Sequence, residues 1–79
     1  MSVEAGFKIR YDANANAAYI YVAAEGTLAG NIAKTYLCDT REINGMINLD
    51  FDDDGRLLGV EIMDARSKLP HEVLKRLEG

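Results

Sequence analysis

"NLDFDDDGRLLGVE", Asn48 to Glu61, is the stretch on which the fold turns. It matches the calcium-loop pattern D-x-[DN]-x-[DN]-G-x5-E at Asp50, Asp52, Asp54, Gly55 and Glu61. A calcium loop needs a helix on each side to aim its ligands inward. Upstream, Asn44–Gly45 signals a turn, and "MINLDF" alternates: Ile47, Leu49 and Phe51 inward, Asn48 and Asp50 outward. Downstream, "LLGVEIM" places Leu58, Val60 and Ile62 on one face. The flanks are strands, so the acidic stretch reads as a hairpin turn.

Residues opposed in an antiparallel pair share a face, so keeping the two apolar sets together requires an even loop. A two-residue loop at Asp54–Gly55 sets Phe51 across from Leu58, Leu49 from Val60 and Ile47 from Ile62. Asp-Gly also suits a type I′ turn. A four-residue loop keeps the parity with a shifted register and stays open. A three-residue loop would oppose Phe51 to Leu57 and Leu49 to Gly59, wasting the pattern. In this hairpin Glu61 faces Asn48, roughly 20 Å along its strand from an ion held at the turn. Asp50, Asp52 and Asp54 remain a weak divalent-cation alternative.

Working outward, "FKIRY" and "AYIYVA" read as two further strands around the Asp12, Asn14, Asn16 turn. Ile20 and Val22 share one face of the second strand, Tyr19 and Tyr21 the other, and apolar bulk on both predicts cover on both. "AEGTLAGN" is a connection. "IAKTYLCD" is strand-like, with Ala33, Thr35, Leu37 and Ile32, Lys34, Tyr36 competing for the inner face. After Met63 the period changes to a turn or short helical piece and then a helix over 70–78. Pro70 fits its first turn, Glu72 suits the positive end of its dipole, and Val73, Leu74 and Leu77 form its stripe. Residues 1–6 read as a loose tail and 7–63 as the sheet. The fold class is α+β: a four- to five-stranded antiparallel meander sheet with one short C-terminal helix.

Seventy-nine residues make one small domain with a marginal core. Cys38 is the only cysteine and His71 the only histidine, so neither a disulfide nor a structural zinc site can supplement it. A second subunit is the remaining helper. Thirteen acids against nine bases give a net charge of −4, which argues against nucleic acid despite Arg66, Lys68, Lys75 and Arg76 near the C-terminus. No apolar run reaches membrane-spanning or signal-peptide length, which predicts a cytoplasmic protein without membrane contact.

For chemistry, His71 reads as a surface residue, Cys38 as a buried inert thiol and Ser67 as a helix-start hydroxyl. Glu61 and Asp64 read as solvated acids at a strand end. With no convergent constellation, neither enzyme activity nor a cofactor is expected. Tyr19, Tyr21 and Tyr36 are the expected interface, because large rings with a polar tip suit a subunit contact. A homodimer is the expected assembly, with a protein partner the competing one.

"YDANANAAYIYV" followed by "NLDFDDDGRLLGVEIMDA" resembles the bacterial domain of unknown function 2283 family. Tyr11, Asp12, Tyr19 and Ile20 carry the first part of the likeness. Asp50, Asp52, Asp54, Gly55, Arg56, Leu57, Gly59, Glu61, Ile62, Asp64 and Ala65 carry the second. The likeness covers about residues 7–69. Asn16 stands where such chains often have an acid, and "LCDTREINGM" is longer than the usual linker. The resemblance implies an antiparallel meander with a C-terminal helix and, by analogy with relatives encoded beside small toxin-like proteins, an antitoxin-like role.

Overall fold

The computed structural model describes residues 6–24, 26, 31–39, 41–42 and 46–78. Residues 1–5 of the tail expected over 1–6, most of the connection over 24–31 and the Asn44–Gly45 turn lie outside the described residues. Five strands form one antiparallel sheet: β1 (Lys8–Asp12), β2 (Ala17–Tyr21), β3 (Lys34–Leu37), β4 (Ile47–Phe51) and β5 (Leu57–Met63). Their spatial order is β1-β2-β5-β4-β3. Two runs of consecutive strands, β1–β2 and β3–β4–β5, are thus joined where β5 lies against β2. Two helices follow, α1 (Ala65–Lys68) and α2 (His71–Glu78).

The first hairpin is closed by the Asp12 carboxylate, which accepts the N–H groups of Asn14 and Ala15 at 3.0 and 3.2 Å. Asn16 ends the turn with φ 51°, a left-handed conformation that asparagine tolerates better than most residues. In register, Ala18 opposes Ile62 and Ile20 opposes Val60 on one face, while Tyr19 opposes Glu61 and Tyr21 opposes Gly59 on the other. Tyr11 and Ile9 extend the first face onto β1.

The second hairpin corrects the expected two-residue loop. The Asp52 N–H donates to the Arg56 carbonyl at 3.0 Å and the Gly55 N–H to the Asp52 carbonyl at 3.1 Å, which leaves Asp53, Asp54 and Gly55 as a three-residue loop. Only Gly55 has positive φ, 79°, whereas a type I′ turn would need Asp54 there as well. Phe51 therefore faces Leu57, not Leu58. Parity survives because the register shifts between Asp50 and Phe51, where Leu58 is an extra residue in β5. Beyond this bulge Leu49 faces Val60 and Ile47 faces Ile62, the expected pairs.

The helices pack on the face that carries Ala18 and Ile62. Ala65 is fully buried against these two, with Tyr11, Ile20, Val60 and Leu69 around them. Alanine at positions 18 and 65 brings α1 close to β2. Leu74 is the buried residue of α2, which leans on β1. The apolar residues of β4, Ile47, Leu49 and Phe51, stay half-exposed on this same face.

Candidate functional site

On the opposite face, which carries no helix among the described residues, a polar network crosses four strands. Register sets Thr35 of β3 beside Asp50 of β4, and Asp50 beside Gly59 of β5, which in turn faces Tyr21 of β2. Tyr19 reaches across from β2 over Gly59, whose missing side chain leaves the space its ring occupies. Its hydroxyl donates to Asp50 Oδ2 at 2.6 Å, and the Thr35 hydroxyl donates to Asp50 Oδ1 at 2.6 Å. Asp50 is buried, so each oxygen meets a donor, as a buried carboxylate requires. One step along, Asn48 donates to Glu61 Oε1 at 2.8 Å. Tyr21 packs edge-on against Tyr19, ring centres 4.8 Å apart, with Lys8 above its own ring.

Burial, then the hydrogen bond to Asp50 and the charge of that carboxylate, push the Tyr19 phenol far above the usual tyrosine range. Tyr19 therefore holds its proton and serves as a donor. The bond is a clasp that ties β2 to β4 across β5.

A second arrangement lies at the helix–sheet corner. Asn16 accepts the Ala65 N–H on its carbonyl at 3.0 Å and the Arg66 N–H on its side chain at 2.9 Å. Its amide donates to Asp64 Oδ1 at 2.8 Å, and Ser67 donates to Asp64 Oδ2 at 2.7 Å. The Ser67 hydroxyl, followed by the Asn16 amide and the nearby Lys68 and Arg66 charges, outweighs partial burial and holds the Asp64 carboxyl below the ordinary aspartate value. Asp64 itself has φ 54°. Glu61 and Asp64 are thus bound to different partners.

The structure places the candidates read from sequence as follows. Tyr19 and Tyr21 share the helix-free face, but Tyr36 opposes Leu49 and lies on the helix face. There it packs edge-to-face on Phe51 at 5.7 Å, with Lys34 Nζ 4.7 Å above its ring. Asp50, Asp52 and Asp54 are drawn into separate tasks. Asp50 belongs to the clasp, the Asp52 carboxylate accepts the N–H groups of Asp54 and Arg56 at 2.9 Å each, and Asp54 lies 3.7 Å from Arg56. No group of three or more His, Cys, Asp or Glu residues is placed to hold a metal among the described residues. Cys38 is half-buried just past β3, correcting the expectation of a buried thiol: among the described residues this edge strand has a neighbour, β4, on one side only. His71 is exposed at the start of α2.

Residues 8–66 match the family model described as "Protein of unknown function (DUF2283)". The chain belongs to this family. No curated protein and no solved structure matches it. The DUF2283 match takes in all five strands and stops inside α1. Within the DUF2283 span, Tyr19, Asp50 and Gly59 build the clasp, while Asp64 and Ala65 build the corner. Thr35 and Gly59 are passed over when the sequence is read for chemistry. Gly59 does carry a signal: a glycine inside a strand marks a close approach by another group. No helix is long and apolar enough to cross a membrane among the described residues.

Proposed function

We propose that this chain is a protein-interaction module that works as a homodimer, with the β3–β4 end of the sheet as its contact region. One observation carries the reading: among the described residues, apolar surface is left open at the end that α1 and α2 do not reach. Among the described residues the core has five buried apolar residues, Ala18, Leu58, Ile62, Ala65 and Leu74, and no large side chain is fully enclosed. Tyr36 is 50 % exposed, Leu37 65 % and Ile32 42 %, all in or just before β3, and Met46 beside β4 is 46 % exposed. Tyr36 stands on the helix face with half-exposed Leu49 and Phe51, while Leu37, opposite Asn48, stands on the other face, so exposed apolar groups line both sides of this edge. Exposed apolar surface of this kind is uncommon on soluble monomers and marks interfaces. A small chain also gains most from a second subunit, and two-fold dimers are the commonest closed assembly. The tyrosine expected at the contact with the best support is Tyr36. Tyr19 turns its hydroxyl to Asp50 within the chain.

Light scattering of the isolated chain at micromolar concentration tests the reading. The expected mass is twice 8.7 kDa. A mass of one chain without concentration dependence would overturn the homodimer and leave a different protein, such as the toxin-like partner implied by the family analogy, as the candidate for this surface.

A further inference from the structure

Among the described residues the sheet ends in two edge strands, β1 and β3, and they are defended differently. On β1, Lys8, Arg10 and Asp12 place a charge at every second position, a common guard against strand addition. All four residues of β3 are exposed, and only Lys34 is charged. Hydrogen bonding decides which β3 backbone groups are free. The Cys38 N–H donates to the Ile47 carbonyl at 2.9 Å, in the register that pairs Tyr36 with Leu49 and Lys34 with Phe51. Bonded and non-bonded pairs alternate along an antiparallel ladder, so Lys34 and Tyr36 bond to β4. The N–H and C=O groups of Thr35 and Leu37 then point away from the sheet.

Building on the homodimer reading, we propose that two copies join by antiparallel pairing of their β3 strands about a two-fold axis at Tyr36, making one continuous sheet. In this register Thr35 of each copy faces Leu37 of the other, and both outward-pointing residues of the short strand exchange both of their hydrogen bonds. Tyr36 meets Tyr36 of the second copy in the closer, non-hydrogen-bonded pairing. The edge-to-face contact of Tyr36 with Phe51 then extends into a row of four rings across the axis. Charge also fits a second copy. Lys34 falls across from Cys38 and beside Asp39 of the other chain, whose carboxylate is shared with Arg41 of its own chain, so no like charges are directly opposed in the paired strands. The chain's other acids lie outside the paired strand.

Cross-linking tests the register. In a Cys38→Ala background, Tyr36→Cys should form a disulfide-linked dimer under mild oxidation at least tenfold faster than Ile9→Cys, placed on the guarded edge. Leu37→Pro removes one outward N–H and no bond to β4, so it should weaken association at least tenfold while circular dichroism keeps the sheet signal. Tyr36→Lys opposes two like charges at the axis and should do the same. A mass of two chains, with no preferential cross-link at position 36 and no effect of either variant, overturns the edge pairing and leaves the homodimer reading standing. A mass of one chain overturns both.

Discussion

At the β1–β2–β5 end, Asn16 ties α1 to the sheet through its carbonyl, its side-chain oxygen and its amide, and Ala18, Ile62 and Ala65 close beneath it. At the β3–β4 end no helix arrives among the described residues. Leu49 and Phe51 stay half-exposed, Tyr36 and Leu37 are more open still, and the strands are clasped from the other side by Tyr19, Asp50 and Thr35. So short a chain divides its means between the two ends. Apolar cover is concentrated at one end, and at the other a buried carboxylate with two hydroxyl donors holds strands in place while apolar surface stays free. Such a clasp fixes geometry well but depends on every member, because a buried acceptor left without its donor is costly.

The strongest way to break the open end is therefore to evict Tyr19. A methyl group at Gly59 would collide with the Tyr19 ring and hydroxyl, so Gly59→Ala must swing the ring aside and leave Asp50 without one donor. The expected loss is about 2–3 kcal/mol, from displaced packing plus an under-bonded carboxylate. Urea denaturation reads it directly. A loss near zero would mean that the ring relocates freely and the clasp holds little.

The closed end breaks at Asn16. Asn16→Ala deletes both side-chain hydrogen bonds and places alanine at φ 51°, for an expected cost of about 2 kcal/mol. Asn16→Gly keeps the conformational freedom and loses only the bonds, so it should cost about half as much. If the two variants melt together, the left-handed conformation contributes nothing and the corner is held by hydrogen bonds alone.

The two ends were not equally legible in the sequence, for physical reasons. β1, β2, β4, β5 and α2 follow from clean periodicity, and the pairs Ile47–Ile62 and Leu49–Val60 follow from face matching. The turn between β4 and β5 did not, because an odd loop plus one extra strand residue gives the same parity as an even loop. The doublet Leu57–Leu58 ahead of Gly59 is the trace that such a bulge leaves. β3 was ambiguous because both of its faces carry apolar groups, and the structure shows why: Tyr36 packs on Phe51 while Thr35 serves Asp50. The clasp was hidden because its members come from four strands, and only pairing order brings them together. Asp50 read as a cation ligand or an outward acid. Its burial depends on Tyr19, thirty-one residues away.

A subtler probe of the clasp is pH. The Tyr19 phenol keeps its proton in the folded state above the ordinary range, whereas in the unfolded chain it ionises near pH 10. The folded chain then binds more protons than the unfolded one above that pH, so stability is intact below about pH 10 and falls as the pH rises past it. Tyr19→Phe should cost about 1 kcal/mol at neutral pH and flatten this alkaline decline. An unchanged slope in denaturation midpoints between neutral and alkaline buffers would show that Tyr19 titrates alike in both states.

The smallest expected effect lies at the tip of the open end. Gly55 has φ 79° and its position is clear of neighbours, so Gly55→Ala meets only the backbone cost of a left-handed residue, about 1 kcal/mol. Gly55→Asn should cost less, since asparagine tolerates that region. The same tip decides how the acidic loop meets cations. Asp50 has both oxygens engaged by hydroxyls, Asp52 accepts two backbone N–H groups, and Glu61 accepts from Asn48. To gather them around an ion, the clasp and the turn would both have to open. Micromolar calcium, or its removal by a chelator, should therefore leave the melting temperature of the native chain and of Gly55→Ala unchanged. A rise of many degrees with calcium would mean that the loop rebuilds itself around the ion, and it would make the β4–β5 turn a ligand site instead of a hairpin tip.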